Sequence, residues 1–141
     1  MRVTASRLSR IQLVVVPVSD QERSVAFYEG LGFERRNDIS WGEGHRWVEV
    51  YPPNSSTGLA LVPPGPGETT GVQTGIILNT NDIDAAHQEL QSSGVDVDAE
   101  VARVGGSVAI RIGPVETASP VPPMFYFRDP DGNTVLIVQP G

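Results

Sequence analysis

Apolar and polar positions along the chain follow a strand period and then a helix period, and the whole alternation occurs twice. Ile11 to Val18 is β-branched and almost wholly apolar, which predicts a buried strand. Ser19 and Asp20 follow as capping candidates, with Glu22 three residues after Ser19 as in a capping box. Val25, Phe27, Tyr28 and Leu31 recur at helical spacings, Gly32 supplies the stop, and Phe33 to Arg36 predicts a short second strand. Thr74 to Thr80 begins the pattern again. Asn81 and Asp82 lie at a helix start, Ile83, Ala86 and Leu90 make a core-facing stripe, and Gly94 ends the helix. Val14, Val16 and Val18 superpose on Ile76, Leu78 and Thr80 with a constant offset of 62 positions, and Asp20 and Gly32 fall on Asp82 and Gly94. The match is one of pattern rather than identity, and it predicts a duplicated unit.

The rest of each copy reads as an antiparallel pair. In the first, Arg46 to Tyr51 and Gly58 to Val62 are joined by a turn containing Pro52, Pro53, Asn54 and Gly58. In the second, Met124 to Arg128 and Thr134 to Gln139 flank Asp129-Pro130-Asp131-Gly132-Asn133, a composition suited to a tight hairpin with a structural role. The expected organisation is therefore an α+β chain of two tandem βαβββ modules spanning 1–141. Module 1 covers about 10–62, a Pro/Gly-rich linker 63–72, and module 2 about 73–139. Val104 to Pro123 exceeds the equivalent stretch of the first copy. It holds the alternating Val108, Ile110 and Ile112 and a Pro-rich loop at 113–123, which reads as an insertion or as a lid.

Composition narrows the chemistry. Hydrophobic residues make up 39% and charged residues 19%, an ordinary globular balance that argues against disorder. No apolar run approaches the ~18 residues of a membrane span. Arg2, Arg7 and Arg10 precede an apolar stretch broken by Gln12 and Pro17, so a strand with a basic tail is expected rather than a signal peptide. The sequence has no cysteine, which excludes disulfides, thiol catalysis and thiolate metal sites and fits a cytoplasmic protein. Ten basic residues stand against seventeen acidic ones, with no Lys/Arg cluster, so no nucleic-acid partner is expected. The net charge of −7 serves solubility or favours cationic ligands. Neither His45 nor His87 has a partner that makes a nucleophile–base pair, and both read as surface histidines. Nucleotide-binding glycine spacings are missing, and no cofactor is expected.

Val18-Ser19-Asp20, Phe27-Tyr28, Leu31-Gly32-Phe33 and Phe127-Arg128-Asp129-Pro130-Asp131-Gly132-Asn133 together resemble the vicinal-oxygen-chelate superfamily. That superfamily includes glyoxalase I, extradiol dioxygenases, and fosfomycin- and bleomycin-resistance proteins. The resemblance covers about Ile11 to Gln139. It implies two modules whose curved sheets form a cleft with the helices outside, and pairing of modules in a homodimer. Metal-dependent members carry His, Gln or Glu at four cleft-facing strand positions. Transferred residue by residue, those positions are Leu13, Ala60, Gly75 and Leu136, none of which offers a side-chain ligand. A slip of one residue brings in Gln12 or Thr74, and of these Gln12 alone is a plausible ligand. The resemblance thus implies a member without a metal centre.

Strand alternation then predicts the lining of the cleft. Leu13 and Val15, Gly75 and Ile77, and Ala60 and Leu136 face inward. Trp47, Glu49 and Tyr51 share one face, with Phe125 and Phe127 as their counterparts when the hairpins are aligned on Ala60 and Leu136. The alternative is the reverse parity, with the aromatics in the core and Glu49 at a solvated edge. Trp41, on a glycine-flanked loop, either closes over a ligand or packs. The expected function is metal-free sequestration of an aromatic or cationic small molecule, as in bleomycin-resistance members. The alternative is a metal-free or atypical lyase or isomerase using Glu49 as general base, and glyoxalase I or dioxygenase activity is least expected.

Overall fold

Two units, Met1–Pro64 and Gly65–Gly141, make up the chain, and the computed structural model describes residues 2–141. In the first, the opening apolar run becomes β1 (Leu13–Pro17), followed by α1 (Gln21–Gly30), β2 (Glu34–Trp41), β3 (His45–Tyr51) and β4 (Gly58–Val62). The second contains β5 (Gln73–Asn79), α2 (Ile83–Ser92) and β6 (Asp96–Val97). It continues with β7 (Ile110–Ile112), β8 (Val115–Thr117), β9 (Met124–Arg128) and β10 (Thr134–Val138). The sheet orders are β1-β4-β3-β2 and β5-β10-β9-β6, so first strand pairs with fourth, fourth with third and third with second in both. This is the tandem βαβββ organisation of an α+β chain.

The duplication persists in atomic detail. The Asp20 carboxylate accepts from the Arg23 amide at 3.0 Å, and Asp82 does the same for Ala85 at 3.1 Å. Each cap satisfies a helix amide that has no partner within the helix, worth about 1 kcal/mol. The amides of Gly32 and Gly94 return to the carbonyls of Glu29 and Gln91. All four pairs of equivalent residues lie 62 positions apart.

In the first unit, Val16, Val18, Val48, Val50, Leu59 and Leu61 are buried on the sheet face that carries α1, along with Val25 and Tyr28 of or near that helix. Burying each such side chain stabilises by roughly 1.5–3 kcal/mol. β2 runs on to Trp41, five residues past the expected end at Arg36. The continuation was illegible because a bulge between Arg36 and Asp38 breaks the alternation.

The Asp129–Asn133 turn explains itself in hydrogen bonds. Asp129 Oδ1 accepts from the amides of Asp131 and Asn133, both at 2.9 Å, and Oδ2 from Asn133 Nδ2 at 2.9 Å. Asn133 Oδ1 accepts from the amides of Gly71 and Val72 at 2.9 Å, which clasps the end of the linker to the hairpin. No described helix is long and apolar enough to cross a membrane.

Candidate functional site

The register of the first unit decides which residues share its second sheet face. Glu49 pairs with Ala60, and Ala60 with Val15; Val50 pairs with Leu59 on the opposite, helix-bearing side. Leu13, Val15, Trp47, Glu49, Tyr51 and Ala60 therefore lie together. On β2, Arg36 stands opposite Glu49, Ile39 opposite Trp47 and Trp41 opposite His45. Much of this face is open: Val15 is 59%, Ile39 55% and Trp41 52% exposed.

Glu49 lies at its centre and is only 6% exposed. Its Oε1 accepts from Tyr51 Oη at 2.7 Å and from Asn37 Nδ2 at 3.1 Å, and its Oε2 from Trp47 Nε1 at 2.7 Å. Burial pushes this carboxyl up, but the hydrogen bonds from Trp47, Tyr51 and Asn37 outweigh it and leave it below the usual carboxylate value. The Tyr51 hydroxyl is raised, first by donating to that carboxylate and then by burial. The Arg36 guanidinium lies 4.3 Å above the Tyr51 ring, and its nitrogens bond Glu34 Oε2 at 2.7 Å and the Ser55 carbonyl at 3.2 Å. Asn37 carries no signal in the sequence. Its signal is structural, a bulge that no composition rule marks.

The second unit inverts the parity expected for Phe125 and Phe127. Leu136 pairs with Tyr126, while Phe125 and Phe127 pair with Ile137 and Val135. Both phenylalanines are fully buried, and the Phe125 ring meets the edge of His87 on α2 at 4.9 Å. They are core residues behind the sheet, and Tyr126 occupies the place equivalent to Glu49. The cause is turn length: the connection 129–133 is one residue shorter than 52–57, and a one-residue change flips every side chain. Gly75 also departs from its expected place. It sits at φ +74 within a register shift of β5, between the Gln73–Thr134 and Ile77–Leu136 pairs, so it is a bulge rather than an inward strand position. Ile77 shares the face of Leu136 and is 61% exposed.

The rest of that second face is covered by the unit's own insertion. Ala102 and Ile110 pack on Met124 and Leu136, with Val108, Tyr126 and Val138 around them. An open depression of about 360 Å³ remains against Tyr126, lined also by Asp98, Glu100 and Arg111. Those polar groups are already engaged, Asp98 by Arg128 and the Tyr126 amide, Glu100 by Ser107, Arg111 by Glu116. Within 104–123, Val108 and Ile110 pack on the sheet, while β7 and β8 form a small, largely exposed hairpin.

His45 is exposed and stacks on Trp41, the ring centres 5.6 Å apart. His87 is half-buried rather than a surface residue, with Nε2 2.7 Å from the Asp98 carbonyl; a carbonyl only accepts, so Nε2 carries the proton. Among the described residues no group of three or more His, Cys, Asp or Glu is placed to hold a metal ion. Gln12, the one neighbouring candidate, accepts from Arg10 at 2.9 Å. The donor set around Leu13, Ala60, Gly75 and Leu136 does not fit a divalent cation.

A family model described as the Glyoxalase/Bleomycin resistance protein/Dioxygenase superfamily matches residues 10–137. TnmS3, an antibiotic binding protein from Streptomyces sp. CB03234, is 37% identical with a TM-score of 0.75, over 97% of this chain and 100% of that one. A glyoxalase/bleomycin resistance protein from the same organism is also 37% identical (TM-score 0.68), over 92% of this chain and 100% of that one. A member of the superfamily from Sphaerobacter thermophilus DSM 20745 is 31% identical (TM-score 0.73), over 94% and 98%. A comparison with curated proteins finds no match.

Proposed function

The chain belongs to the Glyoxalase/Bleomycin resistance protein/Dioxygenase superfamily, and from that premise we propose that it binds and sequesters a planar aromatic small molecule without a metal. The observation that carries this reading is the open face of the first unit, where Val15, Ile39 and Trp41 stay exposed beside a half-buried Trp47. Large apolar side chains left open on one sheet face mark a binding surface. The likeness to an antibiotic binding protein supports the ligand class. Glu49 speaks against the catalytic alternative, because a carboxylate held below its usual value and already accepting three hydrogen bonds is a weak base. The same reading includes a homodimer in the cytoplasm, with a second copy covering part of the exposed apolar surface.

The experiment is titration of the protein with planar aromatic compounds, read by tryptophan fluorescence and by thermal shift. Binders should quench emission and raise Tm with occupancy, and Trp47→Ala should remove most of the affinity. Wild-type affinity in Trp47→Ala would overturn the assignment.

A further inference from the structure

Three donors from three different residues converge on one buried carboxylate, and one of them is the indole's single N–H. We infer that Glu49 and Asn37 are positioning residues that lock the Trp47 side chain, so that the first unit offers its ligand a fixed aromatic surface rather than a charge. This deepens the proposed function and rests on Trp47 being the anchor.

An indole has one hydrogen-bond donor and no acceptor, and Trp47 gives that donor to Glu49 Oε2 at 2.7 Å. Oε1 is occupied by Tyr51 and Asn37. Little carboxylate surface is left for a ligand, since Glu49 is 6% exposed. The nearby cation does not compensate it directly: Arg36 sits over the Tyr51 ring and bonds Glu34 and Ser55.

Asn37 shows that the arrangement is built. In a regular strand Arg36 and Asn37 would point to opposite faces. The bulge between Arg36 and Asp38 lets Arg36 stand opposite Glu49 while Asn37 also reaches its carboxylate. Asn37 is held at φ +47, a conformation uncommon outside glycine. A left-handed asparagine and a buried carboxylate each cost stability, and both converge on the orientation of one exposed-face aromatic. Glutamine is a poorer hub than the carboxylate: with its oxygen kept on the indole N–H, its NH₂ faces Tyr51 Oη and Asn37, which must both turn to accept, and every bond loses its charge assistance.

The test uses the full chain with Trp41→Phe, so that Trp47 is the sole emitter. Glu49→Gln and Asn37→Gly are compared in that background, glycine being chosen because it tolerates the positive φ. Without ligand, both variants should shift Trp47 emission to longer wavelength and lower its anisotropy. Acridone (neutral) and N-methylacridinium (cationic) are then titrated by calorimetry against the parent, Glu49→Gln and Asn37→Gly with Trp41 restored. Both probes should weaken by the same factor, about tenfold for Glu49→Gln and less for Asn37→Gly. Unchanged Trp47 emission and anisotropy would overturn the inference, as would a loss confined to the cation, which would make Glu49 a direct contact. If Glu49→Gln does not fold, Asn37→Gly carries both arms. Failure of both probes to bind the parent protein counts against the proposed function, while the ligand-free emission still decides the positioning role.

Discussion

The ring of Tyr51 lies across the backbone of Gly58 on the neighbouring strand, so close that a Cβ there would come within 2.7 Å of two ring carbons. The absent side chain is what lets the ring lie down and its hydroxyl reach Glu49 at 2.7 Å. Gly58→Ala should therefore lift the ring and cost about 1–3 kcal/mol, the usual size for overpacking. Tyr51→Phe removes the same hydrogen bond, so the double variant should cost less than the two single costs added. Urea denaturation of the four proteins checks this, and strict additivity would show that Gly58 does not act through Tyr51.

Acid should unfold the protein through two carboxylates with a shared sign. Asp38 is held at about 2, against an ordinary 3.8, by hydrogen bonds from Arg46 and, after a burial penalty, from Arg35. Glu49 is lowered as well. A depressed folded value means the stabilisation is present above the unfolded value and disappears as pH falls through the folded one. Stability should be level from neutrality to about pH 5 and drop between roughly pH 4 and 2. Denaturation midpoints across that range should show a shallower drop for Asp38→Asn and for Glu49→Gln than for the parent. Equal slopes in all three would remove these groups from the acid transition.

Much of the fold was legible because the patterns that carry it are local. A cap, a helical stripe and a terminal glycine recur 62 positions apart, and those same atoms make the same hydrogen bonds in both units. Face parity was legible only where the hairpin alignment happened to preserve register. Trp47, Glu49 and Tyr51 share a face with Ala60, whereas Phe125 and Phe127 lie behind theirs because one connection is a residue shorter. Alternation says which residues share a face, not which face it is, and turn length settles that question only in three dimensions. Asn37 and Gly75 escaped for a related reason: both are bulges, and a bulge removes the period that would have announced it.

Metal removal should change nothing. Leu13, Ala60 and Leu136 offer no side-chain donor, and Gly75 has no side chain at all. Elemental analysis of protein purified without chelator should find no stoichiometric transition metal, and EDTA should leave Tm and ligand affinity where they were. About one Zn, Ni, Fe or Mn per chain, with binding lost on chelation, would refute the metal-free reading.

The proposed homodimer is checked by sedimentation. The chain has a mass of 15.1 kDa, and a species of twice that mass should dominate at micromolar concentration. A charged substitution at an exposed apolar position of the second unit, Ile77→Lys, should shift it toward monomer. A monomer at every accessible concentration would count against the dimer and leave Trp47 as anchor untouched.

The sharpest separation of core from site compares Phe125 with Trp47. Phe125 is fully buried and packs edge-on against His87, on the helix side of its sheet. Phe125→Ala should cost about 3–5 kcal/mol of stability, as large aromatic truncations in a core do. Phe125→Leu keeps the site apolar and comparable in volume and should cost less than about 1.5 kcal/mol. Trp47 is half-buried on the open face, so its truncation should cost less stability than Phe125→Ala and far more affinity. Measured where all variants are folded, Phe125→Leu should bind planar aromatic ligands as tightly as the parent, and Trp47→Ala should not. Equal losses of affinity in the two would overturn the assignment of Phe125, fully buried against His87 of α2, to the core alone.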